Sequence, residues 1–355
     1  MNLSPRQFRV ALSADFRDDE ARLIFPDIGL SVLDGIPGLS HEFLPDYRPE
    51  YGSDQLSGYD VVISLKPRVT TASLDGVERL CAIGRCGVGY DNVDLDTCTA
   101  HDVAVFITPD AVVRPVAQSI VLLVLALSHN LVLKDRLTRE GRWADSSRIL
   151  GREPRGRIIG TVGLGNIASE AVRLLRPFGI ARFLAFDPYA PPERASELGA
   201  EPVALDELMA ASDYVLINCP LNAQTRGMIG ERQLALMKPD SIFINTARGG
   251  IVDQSALIRV LESGKIRGAA LDVFEKEPLE AGSPLTKLDN VILTSHSLAW
   301  TEELFRDMGR ADCEGALSIF RGEVPRSVVN KEVLSRPGFL EKLRTYKLFF
   351  EASKQ

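Results

Sequence analysis

The stretch that most narrows what this chain can fold into is Ile158-Ile159-Gly160-Thr161-Val162-Gly163-Leu164-Gly165-Asn166-Ile167-Ala168. A β-branched apolar run leads into Gly-x-Gly-x-x-Ala, and residues 169–178 then carry apolar side chains at helical spacing. A strand, a tight turn and a helix in that order seat a dinucleotide pyrophosphate on the helix N-terminus. Gly163 permits the turn, Gly165 lets the backbone approach phosphate oxygens, and Ala168 lets helix and strand pack closely. After a second apolar run, Phe183-Leu184-Ala185-Phe186, Asp187 stands where a carboxylate would grip a ribose 2′-hydroxyl. Similar glycine turns open S-adenosylmethionine-binding domains and other α/β helices, so the strand, helix and acid carry the inference as much as the glycines do.

Other apolar runs repeat the βα rhythm. Residues 8–13, 59–64, 79–85 and 103–107 read as strands before the glycine turn, with residues 69–71 opening a helix through residue 80; 214–218, 241–245, 268–273 and 291–294 read as strands after it. Alternating strands and helices predict parallel sheets with crossover helices. At 355 residues the chain is long enough for two such domains. Residues 119–133 predict a helix too apolar to be solvated, buried between domains or against a second subunit. Residues 134–157 are charged and broken by Gly and Pro, which predicts a surface connection.

Composition excludes several classes. With 45% hydrophobic and 25% charged residues the chain reads as an ordinary globular protein, and a net charge of −7 offers no nucleic-acid footprint. The apolar run at residues 120–127 is far short of the about 20 residues a bilayer span needs, which predicts no membrane partner. Residues 1–7 show no signal-peptide core, and five cysteines without paired spacing predict neither a disulfide framework nor a metal site. Cys81 and Cys86 read as ordinary half-buried thiols. The expected compartment is the cytoplasm.

In open parallel sheets, ligands bind beyond the carboxyl ends of the strands. The residues just past these strands are rich in chemistry: Arg248 follows one, Glu275 and Glu277 the next, and His296 the last. A histidine sharing a crevice with an arginine and a carboxylate is a candidate acid–base centre.

Motifs in order carry a resemblance. They are Arg85-Cys86-Gly87-Val88-Gly89-Tyr90-Asp91-Asn92-Val93-Asp94, the turn at 163–167, Asn245-Thr246-Ala247-Arg248-Gly249-Gly250-Ile251-Val252-Asp253, Leu271-Asp272-Val273-Phe274-Glu275-Lys276-Glu277-Pro278, and Thr294-Ser295-His296. Over residues 59–334 the chain resembles the D-isomer-specific 2-hydroxyacid dehydrogenases. The resemblance implies an α/β protein with two doubly wound parallel-sheet domains: a Rossmann-type NAD-binding domain, residues 110–300, inserted in a flavodoxin-like substrate domain, residues 1–109 and 301–355. It implies hydride transfer between NAD(H) and a small D-2-hydroxy acid or its 2-oxo counterpart.

By that resemblance Arg248, Glu277 and His296 are catalytic. His296 is the general acid/base, Glu277 favours its imidazolium and orients the ring, and Arg248 holds the substrate carboxylate. The acid immediately before proline is Glu277, which prefers it to Glu275. Val88 and Gly89 would offer backbone amides to the carboxylate. Gly163, Gly165, Asn166, Ile167 and Asp187 would hold the pyrophosphate and adenosine ribose, with Thr246, Ala247, Arg248 and Asp272 along the nicotinamide half. No metal is implied, and the apolar helix at residues 119–133, which has to be covered, predicts a homodimer. Alternatives are a dehydrogenase of a non-carboxylate such as phosphite, and an NAD(H)-sensing scaffold like the family's corepressors. Gln118, Ser119, Asn218, Ser295 and the run Ser297-Leu298-Ala299-Trp300 depart from the usual pattern and bear on substrate identity. The aromatic tail from residue 336 is a further departure, and its Phe339, Leu340, Leu343, Tyr346, Phe349 and Phe350 predict packing on the protein or on a second subunit.

Overall fold

The computed structural model describes residues 7–352, so residues 1–6, which include most of the segment read for a signal core, and the last three lie outside the described residues. The chain forms two compact units, one running to Val112 and resuming at Trp300, the other spanning Val113–Ala299.

The first unit holds β1 (Phe8–Leu12), β2 (Leu39–Phe43), β3 (Val61–Ser64), β4 (Ala82–Arg85) and β5 (Ala104–Ile107), in the order β2-β1-β3-β4-β5 with every neighbour parallel. That is the flavodoxin-like order. The central strands are mostly apolar, as at Val61–Ser64, because both faces are covered. Val62, Ile83 and Val105 enter one core with Leu56, Leu74 and Leu80. The helix Glu302–Phe320 packs on β3 and β4. Thr301 caps that helix by accepting from the Leu304 amide.

The second unit holds β6 (Ile158–Val162), β7 (Arg182–Phe186), β8 (Ala200–Pro202), β9 (Tyr214–Ile217), β10 (Ile242–Asn245), β11 (Gly268–Leu271) and β12 (Val291–Leu293). Their order is β12-β11-β10-β9-β6-β7-β8, again parallel throughout. The direction of winding reverses between β6 and β9, which opens the ligand crevice of a doubly wound sheet. One core lies around Ile120, Val124, Ile159 and Phe183, and another around Val162, Leu208, Phe243 and Leu257.

Several local expectations change. The apolar helix begins earlier and ends sooner than its greasiest residues suggest, running Pro109–Ser128. By length and composition it is therefore long and apolar enough to cross a membrane, which corrects the run length read at residues 120–127; half of its most apolar window is buried, as in the core helix of a globular protein. Ala117, Ile120, Leu123 and Val124 bury one face of it in the core. Asn130, left-handed at φ 54°, ends this segment, and a second helix, Leu131–Arg139, occupies ground read as connection. The helix expected through residue 80 stops at Leu74, because Asp75 turns extended and Gly76 takes φ 69°. β2 and β8 lack the apolar runs that mark the other strands. β2 is an edge strand whose exposure only partly alternates, and β8 spans three residues. All five cysteines are free, and Cys81 and Cys86 are fully buried rather than half-buried.

The tail forms a helix, Pro337–Ala352, that packs within the first unit. Phe339, Leu343 and Tyr346 are buried, while Leu340 points outward. The Tyr346 ring meets Phe8 edge-on at 5.1 Å, and Phe320 touches both Phe349 and Phe350 at 6.0 and 5.3 Å. Tyr346 Oη donates to the buried Asp60 carboxylate at 2.8 Å, which also accepts from the Arg79 guanidinium and the Arg9 amide. Lys342 Nζ donates to Leu80 O at 2.7 Å.

Candidate active site

Where β6 ends, Gly163 adopts φ 97°, and a Cβ there would stand 2.7 Å from the Cys219 amide nitrogen. Only glycine fits, because the turn brings the ends of β6 and β9 this close. Asn218, one of the departures, helps pin the junction by donating to Thr161 Oγ1 at 2.9 Å, which in turn donates to Gly163 O. Gly165 then opens the helix Asn166–Leu175 without a side-chain cap, and nothing lies within 4 Å of where its Cβ would be. The first amides of this ten-residue helix, from Asn166 and Ile167 on, thus face open space at the positive end of the dipole. Asp187 stands beside them, accepting the Leu164 amide on Oδ2 at 2.8 Å and the Tyr189 and Ala190 amides on Oδ1. An uncapped helix start, a space that only glycine leaves and a fixed carboxylate fit the pyrophosphate and ribose of a dinucleotide. Arg194, not singled out in the sequence, donates to Leu164 O at 3.1 Å and braces the same turn.

The ends of β10, β11 and β12 bring the remaining candidates together. Asn245 is buried, and its amide shapes the turn after β10 by accepting from the Ala247 amide and donating to Arg248 O, each at 3.0 Å. Thr246, Ala247 and Arg248 are half-buried on that turn. The following Gly249 packs so closely on the Phe274 backbone that no Cβ could be accommodated. This approach carries Arg248 toward the loop after β11, where its charge helps hold the Glu277 carboxyl below the ordinary range.

Glu277 is the acid that reaches His296. Its Oε2 lies 2.8 Å from His296 Nδ1, and Oε1 accepts the Phe274 amide at 3.0 Å. Burial pushes this carboxyl up, but the His296 hydrogen bond and charge, the Phe274 amide and Arg248 outweigh burial, so the net displacement is downward. Glu275 is exposed, and its amide donates to the Gln254 side chain.

His296 itself sits at φ 54°, in the left-handed region that few non-glycine residues occupy. Asp272 explains how it is held there. Its Oδ1 accepts Thr294 Oγ1 at 2.6 Å and the Ser297 and Leu298 amides at 3.1 and 3.3 Å, bracketing the histidine on both sides. Asp272, expected along the cofactor, thus shapes the histidine loop, a role no spacing in the sequence signals. Ser295 and Ser297, two of the departures, share a hydroxyl contact of 3.0 Å across the same loop. With Nδ1 bound to Glu277, the ring's Nε2 is left to work on a ligand. In the first unit, Val88 and Gly89 follow β4 as half-buried residues beyond Gly87, which takes φ 120°.

Residues 121–297 match the family profile described as D-isomer specific 2-hydroxyacid dehydrogenase, NAD binding domain. The chain is 39% identical over 292 residues to the D-3-phosphoglycerate dehydrogenase of Methanocaldococcus jannaschii, covering 82% of this chain and 55% of that protein. It therefore spans about half the length of that relative. It is 36% identical over 292 residues to the glyoxylate reductase of Korarchaeum cryptofilum, covering 81% of this chain and 88% of the relative. Among solved structures, a glyoxylate reductase from Paecilomyes thermophila superposes with a TM-score of 0.77 at 28% identity, over 91% of this chain and 98% of the other.

Proposed function

The chain belongs to the D-isomer-specific 2-hydroxyacid dehydrogenase family, and from that premise we propose that it interconverts a small 2-oxo acid and its D-2-hydroxy acid with NAD(H). The observation that carries this reading is the 2.8 Å pair between His296 Nδ1 and Glu277 Oε2, set at the strand ends of the NAD-binding unit with Arg248 close enough to bear on Glu277. Gly163, Gly165, Asn166, Ile167 and Asp187 would hold the dinucleotide, with Thr246 and Ala247 further along it. When bound, the dinucleotide supplies or takes up the hydride equivalent of the redox step. The first unit would bind the substrate, with Val88 and Gly89 lending amides to its carboxylate.

The residues' own part is proton and charge management. Glu277 fixes the ring by its Nδ1–H bond and favours the imidazolium, so that Nε2 carries the proton for the carbonyl oxygen. As that oxygen gains negative charge, Nε2–H transfers the proton to it, and in the reverse direction Nε2 accepts it. Arg248, a planar permanent cation, suits a carboxylate and favours a polarised carbonyl beside it. Asp272 keeps the histidine in its uncommon backbone conformation, so the acid is placed before substrate arrives.

Asp187 should accept ribose hydroxyls and repel a 2′-phosphate, favouring NADH over NADPH by at least about tenfold, or about 1.4 kcal/mol. Free cysteines, four of them buried, suit a reducing cytoplasm. Exposed Leu122, Leu131, Val132, Trp143 and Leu150 support a homodimer through this face. The test is NADH and NADPH oxidation against glyoxylate, hydroxypyruvate, pyruvate, phenylpyruvate and phosphohydroxypyruvate. Turnover of at least one with NADH preferred is expected. Tight NADH binding without turnover of any would replace the enzyme with a sensor.

A further inference from the structure

The helix Glu302–Phe320 buries an acid in the first unit. Asp312 is fully enclosed, and neither carboxyl oxygen makes a well-formed hydrogen bond with a described residue. Buried polar atoms are rarely left so, and a carboxylate less often than most. The sheet beneath has made room for it. A Cβ on Gly84 of β4 would stand 2.9 Å from Asp312 Oδ1 and 2.7 Å from the Phe106 ring, so any larger residue there would displace the acid. Cys86, two residues along and therefore on the same face of the extended chain, is buried and sets its thiol beside the carboxyl. Between them Arg85 folds back over Gly87, its Nη1 donating to Cys86 O. The acid thus lies directly behind the segment that leads into residues 87–89.

We propose that Asp312 is a positioning residue for this loop, holding it while un-ionised, and that its ionisation draws Arg85 off the Cys86 carbonyl and weakens capture of the substrate carboxylate. The proposal rests on the reading above that Val88 and Gly89 meet that carboxylate.

The surrounding groups fit such a device. Burial pushes Asp312 up to about 8, against the opposing pull of the Cys86 thiol and the Arg85 guanidinium. Burial keeps Cys86 and Cys313 far above the usual thiol range, so neither competes as a charge near neutrality. Of the other elements on this helix, β3 and the turn Leu30–Val32 contain no ionisable side chain. The helix Pro337–Ala352 brings Tyr346 and Lys342, engaged with Asp60 and with the carbonyls of Leu80, His101 and Asp102. Arg85 is therefore the cation positioned to answer a new charge on Asp312. An arginine–carboxylate bond is stronger than one to a neutral carbonyl, so ionisation favours the exchange.

The experiment compares the parent with Asp312→Asn, which keeps the shape and cannot ionise. KM for the best oxo acid is measured at saturating NADH from pH 6 to 9.5 on both proteins. If only the un-ionised form binds well, apparent KM in the parent should rise about tenfold by one pH unit above the midpoint, while Asp312→Asn lacks this rise. An Asp312→Asn protein whose KM climbs as the parent's does would overturn the proposal, as would a change confined to thermal stability.

A second readout does not need turnover. With 13C-labelled aspartate and 15N-labelled glycine, the Asp312 carboxyl resonance, identified by its loss in Asp312→Asn, should titrate near 8. The Gly87 and Gly89 amides should follow with the same midpoint. A titrating carboxyl with unmoved glycine amides sinks the coupling whatever the enzyme does. Coupled glycines in a protein that turns over no oxo acid would uphold the loop coupling and remove the functional reading instead.

Discussion

His296 occupies a backbone conformation that asparagine also tolerates well, whereas alanine would add strain. His296→Asn therefore removes the imidazole with little disturbance of the loop that Asp272 holds. A positioned acid contributes ~10²–10⁴-fold, so turnover should fall by that order while NADH affinity, which we propose is set around Gly163 and Asp187, stays close to the parent's. Full turnover in a folded His296→Asn protein would remove the histidine from the reaction. Its partner acts through the ring. Glu277→Gln no longer anchors Nδ1 with a charged acceptor, so oxo-acid turnover should fall while NADH affinity stays close to the parent's. The pair also bears on stability. Because the folded Glu277 carboxyl lies below its ordinary value, its contribution is present above the usual carboxylate range and disappears as pH falls through the lowered value. The difference in thermal midpoint between parent and Glu277→Gln should therefore be visible near pH 6 and gone well below pH 4; with both side chains over a third exposed, it should be small.

At the scale of elements, the tail helix Pro337–Ala352 and the helix Glu302–Phe320 depend on each other. Phe339 is wholly buried, and Phe8 and Phe320 lean on rings that the tail supplies. Phe339→Ala should cost ~3–5 kcal/mol in chemical denaturation, the range for a buried aromatic replaced by a methyl group. A loss under about 1 kcal/mol would mean that the site collapses around the gap or that the tail lies loosely. Tyr346→Phe separates packing from polarity. It keeps the ring against Phe8 and removes a hydroxyl donor from buried Asp60, for a smaller loss of about 1–3 kcal/mol.

For the whole molecule, the exposed apolar side chains of residues 122–150 call for a partner surface, and a second copy is the proposed one. Light scattering should report twice the chain mass of 38.9 kDa, and Leu131→Asp should shift the population toward monomer. A monomeric parent at micromolar concentration would leave that face without its proposed cover. Each sheet was legible in the chain because parallel strands buried on both faces must be continuous apolar runs, as at Val61–Ser64 and Tyr214–Ile217. An edge strand such as Leu39–Phe43 carries a weaker pattern, and residues 120–127 misled on helix length because polar first turns extend a helix that its apolar centre alone does not delimit.

The amino-acid order by itself determined the local features: the glycine turn at Gly163, the helix opened by Gly165, and acids and a histidine placed just after strands. These depend on neighbours in the chain, through backbone freedom and side-chain alternation. Only the tertiary structure decided which strand ends lie side by side. Glu277 Oε2 meets His296 Nδ1, Asp272 closes on Ser297 and Leu298, and Asp312 finds the space above Gly84 from more than two hundred residues away. Each of those meetings depends on distances across a sheet or between a sheet and its covering helix, and no local spacing encodes them.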